Sequence, residues 1–416
     1  MSRIRIKNFG PIKEGLKEND GWIDINKFTV FIGNQGSGKS TVAKLISTFV
    51  WIEKALTRGD SNRRHFTANK FRLTYCGYHN IQNYFHNGEN DSSEIEYMGN
   101  SFNIVFKDNK LTIKENKKPF EQYLLPQILY VPSERSVLNY VRLPTFVRFK
   151  LGSILDFATE LENALNDVVI TLPIPINNSS LEYDPYRKIV KVIGKDYIVK
   201  LKEASSGFQS AIPLFMVSRY LANKISKNEE SIKESMSAEE LKRFIQGVKD
   251  IWDNINFTNE QRRAALSVLA SKFNNSVFIN IVEEPEQNLF PSSQKELLFS
   301  LIEFANMSIG NKLIMTTHSP YLINYLTLAV KANAVHDKIN SNLKNAELLS
   351  KINKIVPQKS IIKSNDLTIY ELNESGSISK LKKYEGLPSD ENYLNRKLEE
   401  DNELFLNLLE IEGKCQ

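Results

Sequence analysis

Cysteine is nearly absent from this 416-residue sequence: Cys76 and Cys415 are the only two, and they lie far apart. That excludes a disulfide scaffold, and both read as ordinary free thiols. His79 and His86 follow Cys76, but a structural zinc site needs four ligands and no second cluster supplies the rest. Long apolar runs are missing as well, since no window approaches the roughly eighteen uninterrupted residues of a membrane helix. The N-terminal segment Met1-Ser2-Arg3-Ile4-Arg5-Ile6-Lys7 reads as a strand rather than a secretion signal, so the expected location is cytoplasmic, with no membrane partner. There is no internal repeat and no low-complexity tail. Charge of one sign is in slight excess only: the formal net charge is +5, which permits contact with nucleic acid and equally suits an ordinary soluble protein. Hydrophobic residues make up 41% of the chain, enough for a large core in one elaborated domain or two ordinary ones.

What is present begins with Gly33-Asn34-Gln35-Gly36-Ser37-Gly38-Lys39-Ser40, followed by Thr41. Two glycines separated by four residues, then Lys-Ser, fit the phosphate-loop pattern. Small residues let successive backbone N–H groups of Gly33, Asn34, Gly36, Ser37 and Gly38 turn inward around phosphates. Lys39 adds a point charge near the β and γ groups, Ser40 offers an oxygen to Mg²⁺, and Thr41 falls near the α-phosphate. A glycine-rich turn holding no phosphate is the plain alternative. Context argues against it: Lys27 to Ile32 is an apolar, β-branched strand, and Thr41 to Trp51 reads as an amphipathic helix. The expected ligand is a nucleoside triphosphate.

Along the rest of the chain, residues 1–32 read as strands and 92–115 as a meander with turns at Gly99-Asn100 and Asp108-Asn109. Residues 58–91 show no clear pattern. Gln127 to Pro132 is a short buried strand, Ser153 to Val168 a helix, and Pro173 to Asn178 a polar turn. Arg187 to Lys202 mixes lysines with apolar residues across Gly194-Lys195, as a hairpin would, with one basic face that is either solvated or phosphate-contacting. Residues 213–273 are mostly helical, with a polar middle from Lys224 to Glu240 marking the exposed end of an insertion. From Lys363 the pattern gives two short strands and a charged helix near Glu399 to Leu409.

Three further stretches carry chemistry. The strand Val277 to Val282 ends in Glu283-Glu284-Pro285. Adjacent carboxylates are costly without a metal or a shared proton, so Glu283 is assigned to the Mg²⁺ shell and Glu284 to orienting and deprotonating an attacking water. The strand Lys312 to Thr317 ends in His318, with Ser319 as expected helix N-cap and Pro320 in the first helical position. Ligands bind at the carboxyl edge of open α/β sheets, so an imidazole there can reach a γ-phosphate. In Glu203-Ala204-Ser205-Ser206-Gly207-Phe208-Gln209-Ser210, small residues open a helix whose N-terminus suits an anion, although a simple capped helix would look the same.

The order of these elements resembles the ABC-type ATPase superfamily across nearly the whole chain, in its soluble branch of RecF, SMC and overcoming-lysogenization-defect (OLD) proteins. The resemblance implies an α/β fold: a P-loop NTPase with an ABC-type ATPase head, a β-rich lobe, and a helical signature lobe carrying a helical insertion. The expected divisions are 1–135, 136–275 and 276–416. Aligned on Gln209, Ser206 matches the serine of the family's Leu-Ser-Gly-Gly-Gln signature and Gly207 its first glycine, with Ser205 and Phe208 as departures; Glu283, Glu284 and His318 match the Walker B acid, the catalytic glutamate and the switch histidine. Glutamate at Glu283 replaces the commoner aspartate, Gln35 a common asparagine, and Ser133 stands at the Q-loop glutamine, where Glu134 or Arg135 could substitute. Glu286 to Pro291 looks like the OLD and defence branch.

By this resemblance the chain is an ATPase using ATP and Mg²⁺, closing with a second copy so that Ser206 and Gly207 complete the partner's γ-phosphate site, as a homodimer or a higher homo-oligomer. No long heptad arm of the SMC kind and no acid cluster of the OLD nuclease kind are found in the sequence. The implied role is control of a separate effector, a nuclease or toxin, or action on DNA, in anti-phage defence or DNA repair. A nucleotide-gated scaffold with little turnover and a transporter's ATPase subunit are the competing readings.

Overall fold

The computed structural model describes residues 2–86, 88, 91–116, 123–139, 152–168, 171–227, 238–254, 257–258, 261–262, 265–266, 269, 275–342 and 345–414. The strands are β1 (Arg3–Lys7), β2 (Gly15–Leu16), β3 (Ile23–Asp24), β4 (Phe28–Gly33), β5 (Glu94–Met98), β6 (Phe102–Lys107), β7 (Lys110–Glu115), β8 (Pro126–Val131), β9 (Leu172–Pro173), β10 (Ser180–Asp184), β11 (Ile189–Ile193), β12 (Ile198–Lys200), β13 (Val277–Glu283), β14 (Lys312–Thr317), β15 (Leu367–Leu372) and β16 (Ser377–Lys380). The main helices are α1 (Lys39–Arg58), α2 (Gly152–Asn166), α3 (Ser206–Ser226), α4 (Ala238–Asp253), α5 (Pro291–Asn306), α6 (Pro320–Asn342), α7 (Ala346–Ile355) and α8 (Tyr393–Lys414).

A seven-stranded sheet in the order β2-β16-β15-β4-β14-β13-β8 forms the centre. Its strands β15, β4, β14, β13 and β8 are mutually parallel, and β16 runs antiparallel beside β15. Every residue of β4 and β13 is buried. Continuous apolar runs of this kind are stable only when layers cover both sheet faces, and two layers do so here. Phe28, Val30 and Ile32 pack with Leu214 of α3, Leu298 of α5 and Leu326 of α6. Phe31, between them, points the other way and packs with Val42, Ile46 and Phe49 of α1. The fold is thus α/β, built on a parallel sheet with the glycine loop joining β4 to α1.

A second, antiparallel sheet, β3-β1-β5-β6-β7, sits over α1. Its strands alternate buried and exposed residues, and Ile4, Ile6, Ile95, Tyr97, Ile104 and Phe106 reach the α1 core. Asp108 and Asn109 both have positive φ, 49° and 54°, the geometry of a two-residue hairpin turn. The expected basic hairpin is β11–β12 within the sheet β12-β11-β10-β9. Much of its charge is paired: Lys191 with Glu182 at 2.8 Å, Lys188 with Glu162 at 3.0 Å and Lys200 with Glu203 at 3.4 Å. The solvated reading of that face fits these pairs.

Several boundaries differ from expectation. The first helix does not stop near Trp51; it runs to Arg58, where Gly59 at φ 80° donates its N–H to Ala55 O and ends it. The charged C-terminal helix spans Tyr393–Lys414, about a turn and a half longer at each end than 399–409, and its apolar residues Leu404, Phe405 and Leu408 are exposed. Within 58–91, Phe71–Cys76 is a π-helix, a winding that leaves no 3.6-residue period to read. Part of the expected insertion, residues 228–237 and most of 255–274, lies outside the described residues, as does Cys415. Cys76 is buried and free, and burial pushes its thiol up to about 12. Among the described residues no helix is long and apolar enough to cross a membrane.

Candidate nucleotide site

The carboxyl ends of β4, β13 and β14 lie side by side, so the loop after β4, the acids after β13 and His318 after β14 meet on one edge. The loop needs its glycines. Gly33 has φ 144°, and a Cβ there would stand 2.1 Å from Leu372 O; Gly38 has φ 101°, and a Cβ would press on Ile12 at 2.9 Å. Lys39 is 5% exposed, and its ammonium donates to Gly33 O at 2.9 Å and Asn34 O at 2.7 Å. Burial lowers its pKa to about 8, against the pull of Glu284, Glu286 and Glu283. Asn34 caps the loop from outside by donating to Glu374 at 2.6 Å. Ser40 and Thr41 fall in the first turn of α1.

Glu283 is buried, accepts a hydrogen bond from the Tyr130 hydroxyl, and has the Lys44 ammonium 3.9 Å away. Glu284 has φ 45°, a left-handed conformation uncommon outside glycine and asparagine. Its backbone is held there on both sides: its N–H donates to Thr316 O at 2.9 Å, and its carbonyl accepts from Arg135 at 2.7 Å. Its carboxylate lies 3.4 Å from His318 Nε2. The hydrogen bond from His318 is the main cause that lowers the Glu284 pKa, with burial opposing.

Sequence reading did not foresee the roles of three groups that build this edge. Tyr130 is one. Arg135 is another: fully buried, it donates to the carbonyls of Pro132, Ser210, Glu283 and Glu284. It therefore does not take the role of a Q-loop glutamine, because its donors go to backbone; Glu134 is exposed and Ser133 opens a short 3-10 turn. Glu286 is the third, accepting from Thr317 Oγ1 and from the His318 N–H, both at 2.7 Å, which fixes where His318 starts. Burial raises its pKa. The Glu-Pro-Glu pattern was the available signal. Ser319 directly precedes α6 and donates its hydroxyl to Gln294 Oε1 at 2.6 Å.

Ser205, the N-cap residue of α3, and Ser206 are exposed at that helix's N-terminus. Gly207 lies against the turn after the acids, where a Cβ would stand 2.7 Å from Asn288 O. Gln209 donates back to Lys202 O and Ala204 O, and Ser210 Oγ donates to Gln287 Oε1.

The edge has room and unmet hydrogen-bonding capacity for phosphate and a cation. Ser37 Oγ, Thr316 Oγ1 and Glu286 Oε2 are buried with no hydrogen-bond partner, and such orphans are rare unless a ligand or ion completes them. Gly36, φ 74°, faces open space. Among the described residues no three His, Cys, Asp or Glu groups form a metal cage.

A family model described as an AAA ATPase domain matches residues 149–323, which take in the 205–209 turn, Glu283, Glu284 and His318. No curated protein matches the sequence. Among solved structures, the SMC head domain from Thermotoga maritima is 12% identical, with 78% of this chain and 90% of that one covered and a TM-score of 0.32. An SMC head bound to the C-winged helix domain of ScpA is 11% identical over 78% and 90%, TM-score 0.35. A nucleotide-free ATP-binding cassette from an ABC transporter is 13% identical over 93% of each chain, TM-score 0.29. The matched ATPase domain and the geometry of the loop together support a P-loop ATPase.

Proposed function

We propose that this chain binds and hydrolyses ATP as an ABC-type subunit, that two copies close around the nucleotide, and that closure controls a separate effector in defence or DNA repair. One observation carries the reading: Lys39, Glu283, Glu284 and His318, from three separate strand ends, converge on one sheet edge. Lys39 holds the β and γ phosphates, while Ser40 and Glu283 hold Mg²⁺, with Tyr130 and Lys44 fixing the Glu283 carboxylate. Magnesium, when bound, neutralises charge that develops on the phosphate oxygens. Glu284 orients a water and takes its proton, and His318 keeps the Glu284 carboxylate in place. Ser206, exposed at the α3 N-terminus, and Gly207, buried beside it against the turn after the acids, serve the other copy's site.

The test is ATP hydrolysis by the pure protein over a concentration series, with and without duplex DNA. A specific rate that climbs with protein concentration is expected. Ser206→Arg should spare nucleotide binding by the single chain and lower turnover by about tenfold or more, through charge and bulk in the closing interface. Normal turnover by that variant would defeat the sandwich. A nucleotide-gated scaffold is the second reading, favoured by Ser133 at the Q-loop position and by the commitment of Arg135 to carbonyls. A rate equal to a Glu284→Gln blank under all conditions would select it.

Lys39 gives a pH prediction. Its free-state pKa is about 8, and a bound phosphate favours the ammonium form and raises it. Binding above pH 8 must then take up a proton, so ATP affinity falls as pH rises through about 8, by up to roughly tenfold per pH unit until the bound-state pKa is reached. Calorimetry in two buffers of different ionisation enthalpy reads the uptake directly. Affinity that holds steady from pH 7 to 9.5 would contradict it.

A further inference from the structure

Away from the phosphate edge, a cavity of about 440 Å³ opens between α1, the 71–79 segment, β8 and α2. That volume lies within the range of roughly 300–1,000 Å³ seen for small-ligand clefts. Its rim is aromatic. Trp51 and Tyr75 stand with ring centroids 5.4 Å apart, and Tyr78 adds a third ring. His79 reaches it from the inside, 2% exposed, with Nδ1 buried and lacking any hydrogen-bond partner. Burial, with help from the Lys44 charge, holds that imidazole neutral with a pKa near 3. A buried ring nitrogen left unpaired is costly, and a ligand completing the bond recovers that cost.

The chemistry of the walls selects the ligand. Asp156 and Glu160 line the cavity, and no lysine or arginine does among the described residues. A phosphate would meet the Asp156 and Glu160 carboxylates with no cation on the cavity wall to offset them. Flat rings for stacking, an orphan imidazole nitrogen and the nearby Gln127 amide and Thr74 and Thr159 hydroxyls suit a flat heterocycle with N–H and ring-nitrogen groups on its edge. The cavity also touches the nucleotide site. The His79 ring packs on Tyr130 with centroids 4.6 Å apart, and the Tyr130 hydroxyl donates to Glu283.

We infer that this cavity is a second ligand site, for an unphosphorylated nucleoside or nucleobase, and that its occupancy acts on Glu283 through His79 and Tyr130. Binding stands apart from the ATPase reading; the effect on turnover rests on it. The experiment titrates adenosine, guanosine, cytidine and uridine into the full-length Lys39→Ala variant, whose phosphate loop is disabled, by calorimetry. At least one nucleoside is expected to bind one to one, with its monophosphate weaker by about tenfold or more. Trp51→Ala, at a half-exposed position that tolerates truncation, should weaken binding about tenfold, the order expected for losing one stacking ring. His79→Phe should do the same where melting shows it folded. No binding by any of the four, binding indifferent to Trp51→Ala, or a monophosphate as tight as its nucleoside would each overturn the site. In the wild-type chain, the bound nucleoside should change the ATP turnover rate by about threefold or more, and should not do so in Trp51→Ala. Retained binding with unchanged turnover would overturn the coupling alone.

Discussion

Glutamine in place of Glu284 is expected to leave ATP binding intact and to lower kcat by about 10²–10⁴-fold, the usual contribution of a positioned general base. The backbone at 284 is set by hydrogen bonds that its own N–H and carbonyl make with Thr316 O on one side and Arg135 on the other, not by bonds to the side chain. Glutamine therefore occupies the same place without being able to take a proton. The carboxylate is held ionised chiefly by the hydrogen bond from His318, so the proton acceptor is present at neutral pH in the wild type. Loss of turnover with retained binding should also leave two chains locked around the nucleotide, visible as an ATP-dependent dimer on size exclusion. A single-turnover rate within about tenfold of wild type would remove Glu284 from the role of base. His318→Ala should act in the same direction but more weakly, because the carboxylate loses the partner that orients it and lowers its pKa, yet can still accept a proton.

The parts of this edge legible in the sequence are those whose geometry is local. The glycine loop, the acids after a buried strand and the histidine before Ser319-Pro320 each declare themselves within about ten residues, because strand, turn and helix signals are short-range. The Asp108-Asn109 turn was legible for the same reason, since both residues tolerate positive φ. Tyr130 was not. Its function depends on β8 pairing with β13 in the register Tyr130↔Ile281, which sets its side chain on the same sheet face as Glu283, two residues along. Glu286 was seen as part of a pattern but not as the anchor of His318, a contact across 32 positions. Ser206 poses the opposite case: its sequence context is clear, but its proposed partner is in another chain.

Arg135 yields the largest expected effect on stability. One guanidinium satisfies carbonyls on the turn after β8, on α3 and on the two acids at the end of β13. It joins three elements at the point where the sheet edge must be rigid, and a planar five-donor fork is the one side chain able to serve four acceptors at once. Burial lowers its pKa to about 10, with Glu286, Glu284 and Glu283 opposing, so it is charged throughout the physiological range. Arg135→Met keeps volume and removes all four of these hydrogen bonds, which should cost about 3–5 kcal/mol and, for a chain of this length, lower Tm by about 5 °C. Arg135→Lys should recover only part of this, since an ammonium cannot span the same acceptors. The sign of the pH dependence follows from the shift. Below pH 10 the group is protonated both folded and unfolded, so no proton is exchanged and the loss in the variants should be flat from pH 6 to 9. Because two of the four carbonyls belong to Glu283 and Glu284, the lysine variant should also lose kcat well before it loses ATP affinity. A lysine variant with wild-type melting and wild-type kcat would mean that the acids hold their geometry without Arg135, and that the Thr316 contact alone fixes the left-handed turn at Glu284.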